Sequence, residues 1–197
     1  VVRALAGASV TVSIDTRNPA TMVAAAEAGA AIINDVSALT FHPDSAAVAA
    51  DTGLAVVLMH SLGDPRVMQH DPSYDHVVLD IYDALEARVA MAEAAGIPRS
   101  HIAIDPGFGF GKTPAHNLRL LAWLATFHGL GCPLLVGVSR KSTIARIAGG
   151  AADAADARLP GSLALAQAAL DQGAQILRVH DVAETAQALA LWRALGE

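Results

Sequence analysis

Six short apolar runs in this chain each deliver a polar or charged group at their C-terminal end. Asp15 follows residues 10–14, Asn34 and Asp35 close residues 31–35, and His60 follows residues 55–59. Asp105 follows residues 102–104, and Ser139-Arg140-Lys141-Ser142 follows residues 133–138. Arg178 lies in the run 175–179, with His180 and Asp181 just beyond it. Two positions apart, Arg178 and His180 share one side of an extended strand. A guanidinium beside an imidazole makes a seat for an anion. Lysine is scarce: of 13 Lys and Arg residues only Lys112 and Lys141 are lysine, and both stand in strand-end motifs. Lysine is a compact point charge with rotatable donors, whereas Arg is a planar fork. A site that needs one donating finger among acceptors retains Lys in an Arg-rich background. The alternative for both lysines is a solvated helix N-terminus.

Residues 105–113 read Asp-Pro-Gly-Phe-Gly-Phe-Gly-Lys-Thr. A phosphate-cradling P-loop needs a glycine where Pro106 stands, and the dinucleotide fingerprint fails because Gly107, Gly109 and Gly111 alternate strictly. What remains is a flexible loop with two aromatics beside a carboxylate. Either its glycines are structural, or its backbone and Phe110 line a flat ligand with Asp105 pointing at it. Asp15, followed by Thr16 and Pro19, suits a helix cap as well as a site. Asp35 reads equally as a supporting or capping group, and His60 as a ligand contact or a structural hydrogen-bonding residue. His42, His70, His76, His101, His116 and His128 are scattered and read as surface residues. No paired-cysteine or His-Glu-x-x-His spacing offers a metal site.

These groups need a scaffold that turns every strand end toward one place. The chain has 197 residues, 53% hydrophobic and 16% charged, with net charge −6. That composition gives one globular domain over residues 1–197 rather than disorder. The scattered basic residues exclude a nucleic-acid-binding stripe. No apolar run reaches the roughly 20 residues of a membrane span. Cys132 is alone, which reads as a buried structural thiol and a reducing, cytoplasmic setting. Between the apolar runs lie helical patterns over residues 19–28, 45–51, 74–95, 117–126, 142–148, 160–172 and 183–194, with helix stops at Gly29, Gly96 and Gly173. Residues 61–73 read as a longer loop. Alternating strands and helices predict a parallel α/β protein. An open doubly wound sheet concentrates its site at a switch point, whereas a (β/α)₈ barrel uses every strand end. The barrel fits better. Six strands are found, and the chain opens in what reads as the end of a helix over residues 1–6, so the first two βα units are expected to be missing.

With these residues assembled, the chain resembles the dihydropteroate synthase family. The resemblance runs through Ser-Ile-Asp-Thr at 13–16, Ile-Ile-Asn-Asp at 32–35, Leu-Met-His at 58–60, the glycine-rich stretch at 105–113, Ser-Arg-Lys-Ser at 139–142 and Arg-Val-His-Asp-Val at 178–182. Pterin-dependent methyltransferase domains share the barrel and the Asn and Asp contacts. A catalytically inactive pterin-binding paralogue is the third reading.

The resemblance implies that 6-hydroxymethyl-7,8-dihydropterin diphosphate condenses with p-aminobenzoate, releasing pyrophosphate. By the family pattern Asp105 accepts from the pterin's 2-amino-4-oxo edge, Asn34 is a second pterin contact, and Val36, Met59, Phe110 and Gly137 line the pocket. Lys141 matches a residue that touches the pterin and shapes the p-aminobenzoate site, with Ser142 near the benzoate carboxylate. Arg178 and His180 match the diphosphate seat, and Asp15 a carboxylate that steadies positive charge on the pterin. The catalytic set implied is Lys141, Asp15 and Arg178, with Mg²⁺ as cofactor and a homodimer as the assembly. The family's metal-binding Asn and its p-aminobenzoate-closing groups lie in front loops absent from these residues.

Overall fold

Runs rich in Ile, Val and Leu form parallel strands here where both faces are covered, as in residues 32–35, 55–59, 102–105 and 135–136, none of which is exposed. The computed structural model describes residues 1–63 and 72–196. The loop expected over residues 61–73, and His70 within it, fall largely outside the described residues. The elements in chain order are α1 (Val2–Gly7), β1 (Ser13–Asp15), α2 (Pro19–Glu27), β2 (Ile32–Asp35), α3 (Ser45–Thr52), β3 (Ala55–Met59), α4 (Val77–Ala94) and β4 (Ile102–Asp105). They continue with α5 (Pro114–Ala122), β5 (Leu135–Val136), α6 (Ser142–Ala148), α7 (Leu159–Asp171), β6 (Ile176–Leu177) and α8 (Val182–Leu195). No helix among the described residues is long and apolar enough to cross a membrane.

The chain folds as two compact units. One comprises Val1–Ser61, Ile81–Pro106 and His128–Pro133. Its sheet has the order β1-β2-β3-β4, every pair parallel. Ile33, Val56, Leu58 and Ile104 from the strands, with Met22, Ile81 and Leu85 from the helices, are almost wholly buried. Side chains that close helix ends are local. Asn18 Oδ1 accepts the Ala20 N–H at 2.9 Å, and Pro19 takes the first helical position, where no N–H is needed. The predicted stops at Gly29 and Gly96 both carry a positive φ, 95° and 102°. Cys132 is buried in this unit, and burial pushes its thiol up from the ordinary value.

The described residues of the second unit lie within 62–80, 107–127 and 134–197. Its two strands, β5 and β6, pair in parallel as Leu135 with Ile176 and Val136 with Leu177. Both are shorter than their apolar runs. The physical reason is at Ser139, whose Oγ accepts the His180 N–H at 3.2 Å in place of a main-chain carbonyl. That side-chain bond ends the ladder. The core is Leu120, Leu124, Phe127, Leu134 and Val136 with Ala166 and Ala169 of α7. Helix α5 begins earlier than the expected residue 117. Thr113 Oγ1 accepts from the His116 N–H at 3.1 Å while His116 Nδ1 accepts from the Thr113 N–H at 3.3 Å, a reciprocal cap in front of Pro114.

Candidate active site

In the first unit, parallel pairing decides which strand-end groups face together. Asp15 lies opposite Asn34, Asn34 opposite Val57, and Met59 opposite Asp105. Paired residues point to the same face, and so do residues two apart along a strand. Val57 and Met59 are two apart on β3, so Asp15, Asn34, Met59 and Asp105 all emerge on one face of this sheet. Asn34 Nδ2 donates to Asp15 Oδ2 at 3.1 Å. Asn34, Met59 and Asp105 are buried at 4%, 2% and 4% exposure, so the polar groups are held in a dry setting. The helix cap that Asp15 could have supplied is made by Asn18 instead.

Asp35 follows Asn34 and therefore points to the opposite face. Its carboxylate accepts from Ser37 N at 2.7 Å, Ser37 Oγ at 2.6 Å and Leu39 N at 3.2 Å, which fixes the turn that carries Val36. Burial pushes its pKa up, against the pull of these bonds. Of its two sequence readings, the capping one holds. Val36 is half-buried, and its carbonyl accepts from Ser61 Oγ at 2.9 Å. The His60 N–H donates to the Asp105 carbonyl at 2.9 Å.

In the second unit, the two lysines separate. Lys112 is not solvated: it is 3% exposed, and its ammonium donates to the carbonyls of Gly107 at 2.9 Å and Phe110 at 3.0 Å. It closes the glycine-rich loop from inside. Lys141, at the N-cap of α6, stands with Nζ 4.1 Å from the Phe110 ring centroid, a cation–π contact. Gly109 makes room for it. A Cβ there would sit 3.2 Å from Lys141 Cδ, and its φ of +79° disfavours any side chain.

Asn117, which sequence reasoning did not single out, ties this loop to α6. It is buried, and its Oδ1 accepts from Gly109 N at 2.9 Å. Its Nδ2 donates to Thr113 O at 3.1 Å and to Thr143 Oγ1 at 3.0 Å. A legible signal existed: an amide on the same helical face as Leu120, Leu121 and Leu124 is out of place unless bonded. His116 is also more than a surface residue, because it caps α5 and meets the Tyr74 ring edge-on at 5.1 Å.

Arg178 and His180 lie beyond β6 and line one open cleft of about 410 Å³ together with Gly137, Ser139, Arg140 and Lys141. The Arg178 N–H donates to Val136 O at 3.0 Å, which continues the β5–β6 alignment and places Arg178 beside Gly137. A Cβ on Gly137 would meet Arg178 Nε at 3.9 Å. Ser139 Oγ lies 3.0 Å from His180 Nδ1 as well as accepting the His180 N–H. Ser142 is exposed on the first turn of α6. The cleft concentrates cationic donors on an open surface, the arrangement an anion selects.

A model of the family described as pterin binding enzyme matches residues 1–180 of this chain. The chain belongs to that family. It is 46% identical over 179 residues to the dihydropteroate synthase of Escherichia coli K12, an alignment covering 90% of this chain and 62% of that protein. Among solved structures, dihydropteroate synthase from Stenotrophomonas maltophilia with active site-bound imidazole superposes with TM-score 0.95 at 44% identity, covering 99% of this chain and 73% of that one. The Xanthomonas albilineans enzyme in complex with 7,8-dihydropteroate gives TM-score 0.91 at 41% identity, over 99% of this chain and 71% of that one. The chain thus has the expected α/β class, and its parallel βα units are six of the eight of a TIM barrel. It spans 62% of the length of the E. coli relative.

Proposed function

We propose that the chain carries the pterin- and diphosphate-handling machinery of a dihydropteroate synthase. One observation bears most of the weight: Asp15, Asn34, Met59 and Asp105 share one face of a parallel sheet, with Asn34, Met59 and Asp105 buried and the exposed Asp15 carboxylate accepting from the Asn34 amide. The buried Asp105 carboxylate and Asn34 amide on one face suit the donor-rich edge of a reduced pterin, and a fixed dipole needs no reorganisation when charge develops. The Xanthomonas albilineans relative, solved in complex with 7,8-dihydropteroate, supports the same substrate class.

In this reading the pterin methylene carbon loses its bond to the diphosphate oxygen, and the bonding electron pair leaves with pyrophosphate. Arg178, His180 and Lys141 take up that growing negative charge, while the Asp15 carboxylate steadies the positive charge on the pterin. The neutral aromatic amine of p-aminobenzoate then forms the new C–N bond and releases its proton. Phe110, with the Lys141 ammonium over its ring, lines the pterin pocket, and Lys141 with Ser142 next to it in sequence supplies the amine's side of the site.

Mg²⁺, a homodimer and a cytoplasmic setting belong to the same proposal. Among the described residues no three His, Cys, Asp or Glu side chains gather to hold a metal ion. Light scattering tests the dimer.

The deciding assay is pyrophosphate release from the pterin diphosphate with Mg²⁺, with and without p-aminobenzoate. Release that depends on p-aminobenzoate supports the synthase. Pterin binding without release points to an inactive paralogue or a methyl-transfer domain and overturns it. Lys141→Ala is expected to lower turnover at least tenfold, about 1.4 kcal/mol in the barrier. Unchanged kinetics would remove Lys141 from the reaction.

A further inference from the structure

Two consecutive residues after β5 grip two consecutive residues after β6. Ser139 Oγ holds His180 through its N–H and Nδ1, at 3.2 and 3.0 Å. The next residue, Arg140, makes a two-point ion pair with Asp181, Nε donating to Oδ2 at 3.0 Å and a terminal nitrogen to Oδ1. Arg140 itself stands in a left-handed conformation, φ 56°, which an L residue other than glycine adopts at a cost. That conformation is anchored from two further sides. The Arg140 N–H donates to Ser162 Oγ at 2.9 Å, and the Arg140 carbonyl accepts from Arg158 at 2.9 Å. Ser162 and Arg158 are joined in turn through Ser162 Oγ donating to the Arg158 carbonyl at 2.8 Å.

We infer that the Arg140–Asp181 pair is a positioning clasp for the anion seat. Arg140 lies between Ser139 and Lys141, and Asp181 is adjacent to His180. The clasp therefore sets the direction in which both Lys141 and His180 enter the cleft. It also withholds a cation. Of the basic side chains lining the cleft, the Arg140 guanidinium is committed to the Asp181 carboxylate, whose side chain is only 13% exposed. A bidentate pair of this kind supplies geometry as well as charge. The inference rests on the diphosphate-binding role proposed above for Arg178 and His180.

Asp181→Asn separates positioning from plain electrostatics, because the two predict opposite signs. Removing a negative charge beside a cationic cleft should tighten anion binding if charge alone mattered. If the clasp positions Lys141 and His180, inorganic pyrophosphate should bind about tenfold more weakly by titration calorimetry, about 1.4 kcal/mol. Asp181→Glu, which keeps a carboxylate for Arg140, should recover most of that loss. Unchanged or tighter binding to Asp181→Asn overturns the clasp. So does Asp181→Glu behaving no better than Asn. Should Asp181→Asn fail to fold by circular dichroism, Arg140→Lys takes its place: it keeps the charge and loses the fork, so weaker binding is again expected and unchanged binding again refutes. Failure of the parent protein to bind pyrophosphate strikes the anion seat itself and is thereby distinct from failure of the clasp.

Discussion

Replacing Asn117 by alanine removes three hydrogen bonds with one substitution, those to Gly109 N, Thr113 O and Thr143 Oγ1. A typical intramolecular hydrogen bond contributes about 1 kcal/mol net, so the loss should be about 3 kcal/mol. Thr143→Val keeps the shape of the side chain and removes only the Thr143 partner, which should cost about 1 kcal/mol. In a chain of this size about 1 kcal/mol moves the melting temperature by about 2–4 °C, so Asn117→Ala should melt about 6–12 °C lower. Thermal melts of the two single variants and the double variant decide the matter. In the Asn117→Ala background, Thr143→Val should cost almost nothing, because the bond it removes is already gone. Full additivity, or a Thr143→Val loss equal to that of Asn117→Ala, would refute the view that one buried amide fastens the glycine-rich loop to α6. The loop carries Phe110, so turnover that depends on p-aminobenzoate should fall with Asn117→Ala more than with Thr143→Val.

Three further outcomes follow from local geometry. Gly109→Ala places a methyl 3.2 Å from Lys141 Cδ in a left-handed position, so Lys141 should leave the Phe110 ring, and steady-state kinetics should show a larger loss than the strain of about 1–2 kcal/mol takes from stability. His116 is pushed below its ordinary value of 6.5 by burial and then by the Lys112 and Arg119 charges. The unfolded chain therefore takes up a proton near pH 6.5 that the folded chain resists, and stability should fall as pH drops from 6.5 toward the lower folded value; urea titrations on either side of 6.5 should show this slope, and His116→Gln should remove it. Cys132 is buried with its thiol pushed up, so Ellman's reagent should label it only as fast as the protein opens; rapid labelling of the native protein would contradict the burial.

Much of this architecture is written in short-range pattern. Each of the six apolar runs holds a strand, and the run 55–59, almost continuous Val, Leu and Met, is the one that most plainly suits a strand covered on both faces. The expected helix 142–148 matches α6. What pattern leaves open is decided by partners far away in sequence. Asn34 and Asp35 are neighbours of similar size, and only the pairing register shows that one joins Asp15 while the other secures a turn. Lys112 and Lys141 both follow strand ends, yet one is sealed against two loop carbonyls and the other stands over an aromatic ring. Residue type cannot tell these apart, since burial depends on how the glycine-rich loop curls. Strand ends are legible for a similar reason only roughly: β6 stops at Leu177 because a serine hydroxyl across the gap takes over a main-chain donor.

The strand order β1-β2-β3-β4 has a bearing on how the first unit comes into being. Ser13 meets Ile32, Ile32 meets Ala55 and Val56 meets Ile102, so every strand docks on the one made just before it. Bringing neighbours together across short intervals is entropically cheap, and the cost rises only slowly with the length of the intervening chain. A chain emerging from the ribosome can therefore lay down this sheet strand by strand in order of synthesis, each new edge serving as the template for the next, with no strand waiting on a distant partner.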